Sequence, residues 1–338
     1  MSSCPLSVLN LSATTLEALS KANFISTSDL ENVSAATLMR SCQLDREEAL
    51  TVAKAAKAFH NVSLSDIKCI TALDLYNSAS VTNPLITFVQ SLDTLLNGGL
   101  PCGQITEVLG LPGSGKTQFC LQLAADVQIP SVVGGTEGRA LFIDTQGDFS
   151  SYRFQQISES MVKHLKHTMA EVDPLGTTIP TVESIAGSTL VYRIFDYVEL
   201  LALLYCLEDI IQKSAQNPTE SPIKLIVLDS IAAPFKTAFG DDFATRSRVL
   251  HEVMTLLRVV ACQYEVAVVI TNQMVVKPNI SKAVPLLGES FGQYSHHRFV
   301  IDHCRDSPKL RTLSITKSCC YPIGEAVFEI SDVGIRGR

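Results

Sequence analysis

Gly110-Leu-Pro-Gly-Ser-Gly-Lys-Thr117 constrains this chain more than any other stretch of its 338 residues. It fits the pattern G-x-x-x-x-G-K-[S/T], follows the strand-like run Ile-Thr-Glu-Val-Leu and opens a helix-like run, Gln-Phe-Cys-Leu-Gln-Leu-Ala-Ala-Asp-Val. Strand, glycine loop and helix in that order make a phosphate cradle rather than an ordinary glycine-rich turn. Gly110, Gly113 and Gly115 let backbone N–H groups turn inward around anionic oxygens, with Leu111, Pro112 and Ser114 completing the loop. Lys116 is placed to reach β- and γ-phosphates, and the Thr117 hydroxyl to ligate Mg²⁺. The residues therefore predict binding of a nucleoside triphosphate with its magnesium.

From residue 84 onward, apolar runs alternate with helix-like segments. Strands are expected at residues 104–109, 140–144, 189–195, 224–229 and 266–271, and helices at 117–127, 154–171, 197–213 and 246–264. Runs apolar on both faces and separated by helices describe a parallel sheet covered on both sides. The tail differs. Its short runs at 298–303, 310–317 and 326–330 read as antiparallel additions at one sheet edge. Residues 1–60 carry helical spacing with repeated Ser and Asp start signals, a small all-helical domain. Residues 61–83 read as a linker holding a short interprotomer strand at 69–73, and 84–338 as the α/β core.

A phosphate loop needs a carboxylate at the end of a neighbouring strand. Leu-Ile-Val-Leu-Asp229 supplies it, and Asp229 is the expected partner of the magnesium shell, with a helix N-cap as the plainer alternative. Leu141-Phe-Ile-Asp144-Thr-Gln146-Gly is the third candidate site, another strand running into a polar end.

Lys and Arg number 27 against 34 Asp and Glu, a net charge of −7, so any nucleic-acid contact must be a local patch or a contact within an assembly. Ten cysteines fall mostly in apolar stretches with no C-x-x-C pair and no Cys/His group at zinc spacing, and buried thiols are expected. No apolar run reaches membrane-spanning length, and no membrane partner is expected.

The series GLPGSGKT, FIDTQGDF, LIVLDS and VVITNQ, behind a helical start, resembles the RecA/RadA-type recombinases of homologous recombination, most closely their eukaryotic C-type paralogue. The likeness runs almost the whole chain, through ITALDL and PLITFVQSLDTLLNGG to PLLGESFG. It implies a RecA-like P-loop, DNA-dependent ATPase core with ATP and Mg²⁺ as cofactors. It also implies that the Arg153 guanidinium stacks near the adenine. Gln273, ending the ITNQ strand, would sense the γ-phosphate, with a plain strand cap as the alternative. Two DNA-facing loops would span residues 234–245 and 274–287, with Lys236, Lys277 and Lys282 as phosphate-contact candidates.

Four departures qualify the likeness. Gln146 stands where active recombinases usually carry a water-positioning glutamate; an amide orients water but takes no proton, so hydrolysis should be slow. The first loop carries Asp241 and Asp242 beside Lys236, which disfavours a phosphate backbone. The family's polymerisation motif places Phe three residues before Ala. Ala72 matches, but the Phe slot holds Cys69 with Ile70 beside it, which weakens the self-contact by about 1–2 kcal/mol. The helical hairpin Ser41-Cys-Gln-Leu-Asp45 lacks its glycine, and acids outnumber bases in that domain. Together these predict an ATP-binding paralogue subunit acting in double-strand-break repair. It would assemble with other paralogues and help load the main recombinase on single-stranded or branched DNA. The alternatives are an autonomous strand-exchange recombinase and a RecA-fold motor unrelated to recombination. Nuclear localisation, with some cytoplasmic protein, is implied by the family.

Overall fold

The computed structural model describes residues 4–9, 11–31, 33–61, 69–74, 83–172, 178–217, 220–236, 238–276, 283–304 and 307–337. The chain divides into two compact units, Met1–Ala79 and Ser80–Arg338.

In the first unit, α1 (Ala13–Lys21), α2 (Ala35–Cys42) and α3 (Arg46–Asn61) follow the start signals of the sequence. Ser12 Oγ accepts the Thr15 N–H, Ser34 Oγ that of Thr37, and Asp45 Oδ1 that of Glu48 at 2.7 Å. Leu19, Leu30, Leu38, Ala49 and Val52 form the core of this unit. The turn between α2 and α3 is made without glycine: Gln43 takes the left-handed position, φ 54° and ψ 32°. The expected strand at 69–73 is absent from this single chain, because residues 72–74 are helical. Thr71 caps that turn, its hydroxyl accepting the Asp74 N–H and donating to the Asp74 carboxylate at 2.6 Å. A local cap outcompetes a strand that has no ladder to join.

The second unit is built on a ten-stranded sheet ordered β10-β9-β8-β7-β1-β5-β4-β2-β3, with β6 paired to β5. Its strands are β1 (Ile105–Gly110), β2 (Arg139–Asp144), β3 (Thr189–Arg193), β4 (Ile223–Asp229), β5 (Ala267–Val276), β6 (Ala283–Pro285), β7 (His297–His303), β8 (Leu310–Lys317), β9 (Glu325–Ser331) and β10 (Gly334–Gly337). The run from β7 through β1, β5, β4 and β2 to β3 is parallel, and β7 to β10 are antiparallel, as the tail pattern predicts. Alternate residues feed two cores. Phe142, Val227 and Val269 face one side, and Leu141, Ile226 and Val268 the other. The first core is closed by α4 (Gln90–Leu95), α5 (Lys116–Asp126), α6 (Ser151–Val172) and α7 (Val182–Gly187), the second by α8 (Tyr197–Gln216) and α9 (Phe243–Tyr264). Each fully buried Leu, Ile or Phe contributes about 1.5–3 kcal/mol, which is why the strands read as unbroken apolar runs.

Three expectations change here. Strand β5 does not stop at residue 271 but runs to Val276 and turns into a hairpin with β6. Helix α9 begins at Phe243 because Asp242 caps it, accepting the Thr245 N–H at 3.0 Å. The cysteines are not mostly buried: Cys42 and Cys120 are, but Cys69, Cys206, Cys262, Cys319 and Cys320 are exposed, and none forms a disulfide. Among the described residues no helix is long and apolar enough to cross a membrane.

Candidate nucleotide-binding site

Strand register fixes the site. Gly110 at the end of β1 lies beside Gln273 of β5, and Asp144 at the end of β2 lies beside Asp229 of β4. Three strand ends, with Gln273 of the longer β5 among them, thus meet at the carboxyl edge of the parallel sheet, where open α/β sheets bind ligands. They border a cleft of about 320 Å³ lined by Pro112, Gly113, Gly115, Lys116, Thr117, Gln118, Gln146, Asp148, Asp229, Ser230 and Gln273.

The loop backbone needs its glycines. Gly113 and Gly115 have φ of 77° and 106°, and a Cβ on Gly110 would sit 2.3 Å from Ser114 Oγ and 2.6 Å from the Ile301 carbonyl oxygen. Ser114 Oγ is itself buried without a hydrogen-bond partner. Lys116 folds over the loop, its ammonium donating to the carbonyls of Gly110 and Leu111 at 3.0 Å each. Burial lowers its pKa, and the nearby Asp229 carboxylate opposes that shift. The N-terminus of α5 points its free N–H groups and positive dipole end at the same loop.

Across the cleft, Thr117 Oγ1 donates to Asp229 Oδ2 at 2.7 Å, and Thr271 donates to Asp229 Oδ1. Burial pushes the Asp229 carboxyl up from its ordinary value, while these two hydroxyls and Lys116 hold it back. Thr145 locks the ends of β2 and β4. Its hydroxyl accepts the Ser230 N–H at 2.7 Å and donates to the Ser230 carbonyl at 2.8 Å, around a cis Asp229–Ser230 bond. Gln146 Nε2 donates to Ser230 Oγ at 2.9 Å, so its amide is held at the cleft wall.

Further positioning residues surround the cleft, and of these only Asp144 belongs to a strand end read from the sequence. Asp144, buried, accepts backbone N–H bonds from Gln146, Gly147, Asp148 and Phe149, and so shapes the loop that carries Gln146. Asp148, Ser230 and Gln118 line the cleft. Asp144 was legible as the acid that ends a strand running into a polar turn, whereas Asp148, Ser230 and Gln118 carried no such signal.

Gln273 lines the cleft but lies inside β5, not at its end, since the strand continues into the β5–β6 hairpin. Arg153 anchors the site from outside the cleft lining. It donates to Gln118 Oε1 at 2.7 Å and to the carbonyls of Ser331 and Asp332, tying α6 to the β9–β10 turn. Lys236 is exposed just after the short 3-10 turn Ala233–Phe235. Lys277 and Lys282 lie outside the described residues. Cys69, Ile70 and Ala72 are all exposed in the first unit.

A glycine-loop cradle at the carboxyl ends of a parallel sheet, with antiparallel strands added at one edge, defines a RecA-like P-loop domain. The Rad51 family model matches residues 80–173 and 204–338, and the chain belongs to that family. It is 36% identical over 279 residues to "DNA repair protein RAD51 homolog 3" of Dictyostelium discoideum, covering 78% of this chain and 70% of that protein. To the protein of the same description from Cricetulus griseus it is 34% identical, over 96% of this chain and 90% of that one. "DNA repair and recombination protein RadA" of Aeropyrum pernix is 29% identical over 96% of this chain and 93% of its own length. The chain is a DNA repair and recombination family member, nearer in sequence to these two paralogues than to RadA.

Proposed function

We propose that the chain is an ATP-binding recombinase-paralogue subunit that holds nucleotide firmly and hydrolyses it slowly. It would use bound ATP to clamp a hetero-oligomer with other paralogues, which helps assemble the main recombinase on single-stranded or branched DNA during double-strand-break repair. The observation that carries this reading is the contrast within one cleft. The phosphate cradle and the Thr117–Asp229 pair are fully formed, yet the wall position expected to hold a glutamate presents the Gln146 amide.

The residues fit Mg²⁺ and a triphosphate. Gly113 and Gly115 line the cleft in left-handed backbone, Ser114 Oγ has no other partner, and among the described residues Lys116 carries the ammonium lining it. Thr117 and Asp229 would hold Mg²⁺, which when bound neutralises charge on the transferring phosphate. Gln146 orients water but removes no proton, while Gln273, on β5, is placed to couple the cleft to the β5–β6 hairpin. Exposed Ile70 (54%) and Leu73 (66%) offer an apolar segment for a partner, and the Cys69 slot favours a partner other than a second copy.

Pull-down of the chain with a candidate paralogue, in non-hydrolysable ATP analogue against ADP, tests the clamp. ATP-favoured association that Lys116→Ala loses is expected, and nucleotide-independent association contradicts it. Nuclear work follows from the same reading, and fractionation of a tagged chain between nucleus and cytoplasm checks it; exclusion from the nucleus would contradict it.

One observation favours a second catalytic reading. Asp148 lines the cleft two residues beyond Gln146 and supplies a carboxylate that could take over water activation.

A further inference from the structure

At the opposite end of β1 from the phosphate loop, the fold gathers residues that no sequence spacing joins. His297 opens β7 and is fully buried, Gln104 directly precedes β1, and Cys319 and Cys320 sit in the loop between β8 and β9. The imidazole nitrogen and both sulfurs lie within 4.8 Å of one another. Cys319 Sγ is 3.9 Å from His297 Nε2 and 3.6 Å from Gln104 Oε1, and Gln104 Oε1 also contacts His297 Nε2. We infer that His297, Cys319 and Cys320 form a binding site for a thiophilic divalent cation of the zinc type, which would replace the Gln104–His297 hydrogen bond and take its fourth ligand from solvent.

The donor set and spacing carry this. Tetrahedral zinc with bonds of about 2.3 Å to sulfur and about 2.0 Å to nitrogen keeps neighbouring ligand atoms about 3.5–3.8 Å apart. The Cys319–His297 separation of 3.9 Å already falls close to that range. Two thiolates select a soft cation over magnesium or calcium, which take oxygen.

Adjacent cysteines in an extended strand would point to opposite sides. Here the Ser318 hydroxyl accepts the N–H groups of both Cys320 (3.1 Å) and Tyr321 (2.7 Å), curling the chain so that the two thiols share one side. The same hydroxyl lies 3.0 Å from His297 Nδ1, which leaves Nε2 as the nitrogen facing the sulfurs. An oxygen on the far imidazole nitrogen is the usual orienting partner of a metal-ligating histidine. The Tyr321 ring, 4.9 Å from the imidazole between centroids, walls the site on one side. A cation there would staple the starts of β1 and β7 to the β8–β9 loop.

The test uses the purified full chain, reduced, stripped with chelator and titrated with Co²⁺. The expected result is one equivalent giving a near-ultraviolet thiolate-to-cobalt charge-transfer band with tetrahedral visible bands, displaced by Zn²⁺. Cys319→Ser and Cys320→Ser, at exposed positions that leave the fold intact, each remove most of the band, and Ser318→Ala weakens binding by roughly 10–100-fold. Zn²⁺ raises the melting temperature of the unaltered chain and not that of the double serine variant. No charge-transfer band in the unaltered chain, or an equal band in the double variant, overturns the site.

Discussion

Thr117 Oγ1 and Asp229 Oδ2 are 2.7 Å apart although 112 residues separate them in sequence. One stands in the first turn after the glycine loop, the other at the end of β4, and Thr271 on the neighbouring strand occupies the second carboxylate oxygen. The carboxylate is thereby aimed at the cleft before any ligand arrives.

Removing either partner should cost metal-dependent affinity selectively. Thr117→Ala loses a hydrogen bond to a charged group, worth about 1.5–3 kcal/mol, or roughly 10–150-fold. Calorimetric titration of ATP with and without Mg²⁺ is expected to show the loss only with magnesium. Equal affinities for variant and unaltered chain would contradict the assignment.

Gln146→Glu supplies a carboxylate where the amide now meets Ser230. Phosphate release should rise by about tenfold or more, a small fraction of what a well-placed general base contributes. Asp148→Asn should leave any slow turnover of the unaltered chain unchanged if Asp148 is a bystander, and abolish it if Asp148 activates water. An unchanged rate in Gln146→Glu would mean that residue 146 does not limit the chemistry.

A buried ion network lies beneath the cleft. Glu107 on β1, fully buried, accepts from Arg298 Nε at 2.9 Å and from Asn272 Nδ2 at 2.8 Å, and Arg298 also meets Glu289 at 2.8 Å. Glu107→Ala leaves the guanidinium half-paired in a dry site, and such losses cost about 3–5 kcal/mol. Urea unfolding followed by circular dichroism measures this, and a loss under about 1 kcal/mol would contradict it.

The fold was largely legible because the central parallel strands β1, β2, β4 and the first half of β5 are buried on both faces, and that pattern requires a covered sheet. The phosphate loop and Asp229 were legible for the same local reason, since a motif and a strand end announce themselves. Ser230 and the His297–Cys319–Cys320 group were not, because they meet only through strand register and loop closure. The early end of β5 misjudged pairing, since the strand gains a partner in β6, whereas an interprotomer strand at 69–73 pairs only with another chain. Residue 43 shows the converse, since the missing glycine was legible while the turn that Gln43 still makes was not.

That turn gives a stability prediction. A side chain in the left-handed region costs about 1–2 kcal/mol, partly offset by the extra freedom glycine loses on folding. Gln43→Gly should therefore stabilise the helical unit by about 0.5–1 kcal/mol, whereas Asp45→Ala, which removes the α3 cap, should cost about 1 kcal/mol. Thermal melts of the two variants check both signs, and a destabilised Gln43→Gly would show that the glutamine side chain supports the turn.

Firm nucleotide holding with little turnover is tested most directly by measuring ATP affinity and steady-state phosphate release side by side. The purified chain would be assayed with and without single-stranded DNA, against Lys116→Ala as background. The expected result is binding that Lys116→Ala abolishes, together with phosphate release near that background whether or not DNA is present. Release well above background and stimulated by DNA would contradict it, and would make the chain an autonomous DNA-dependent ATPase.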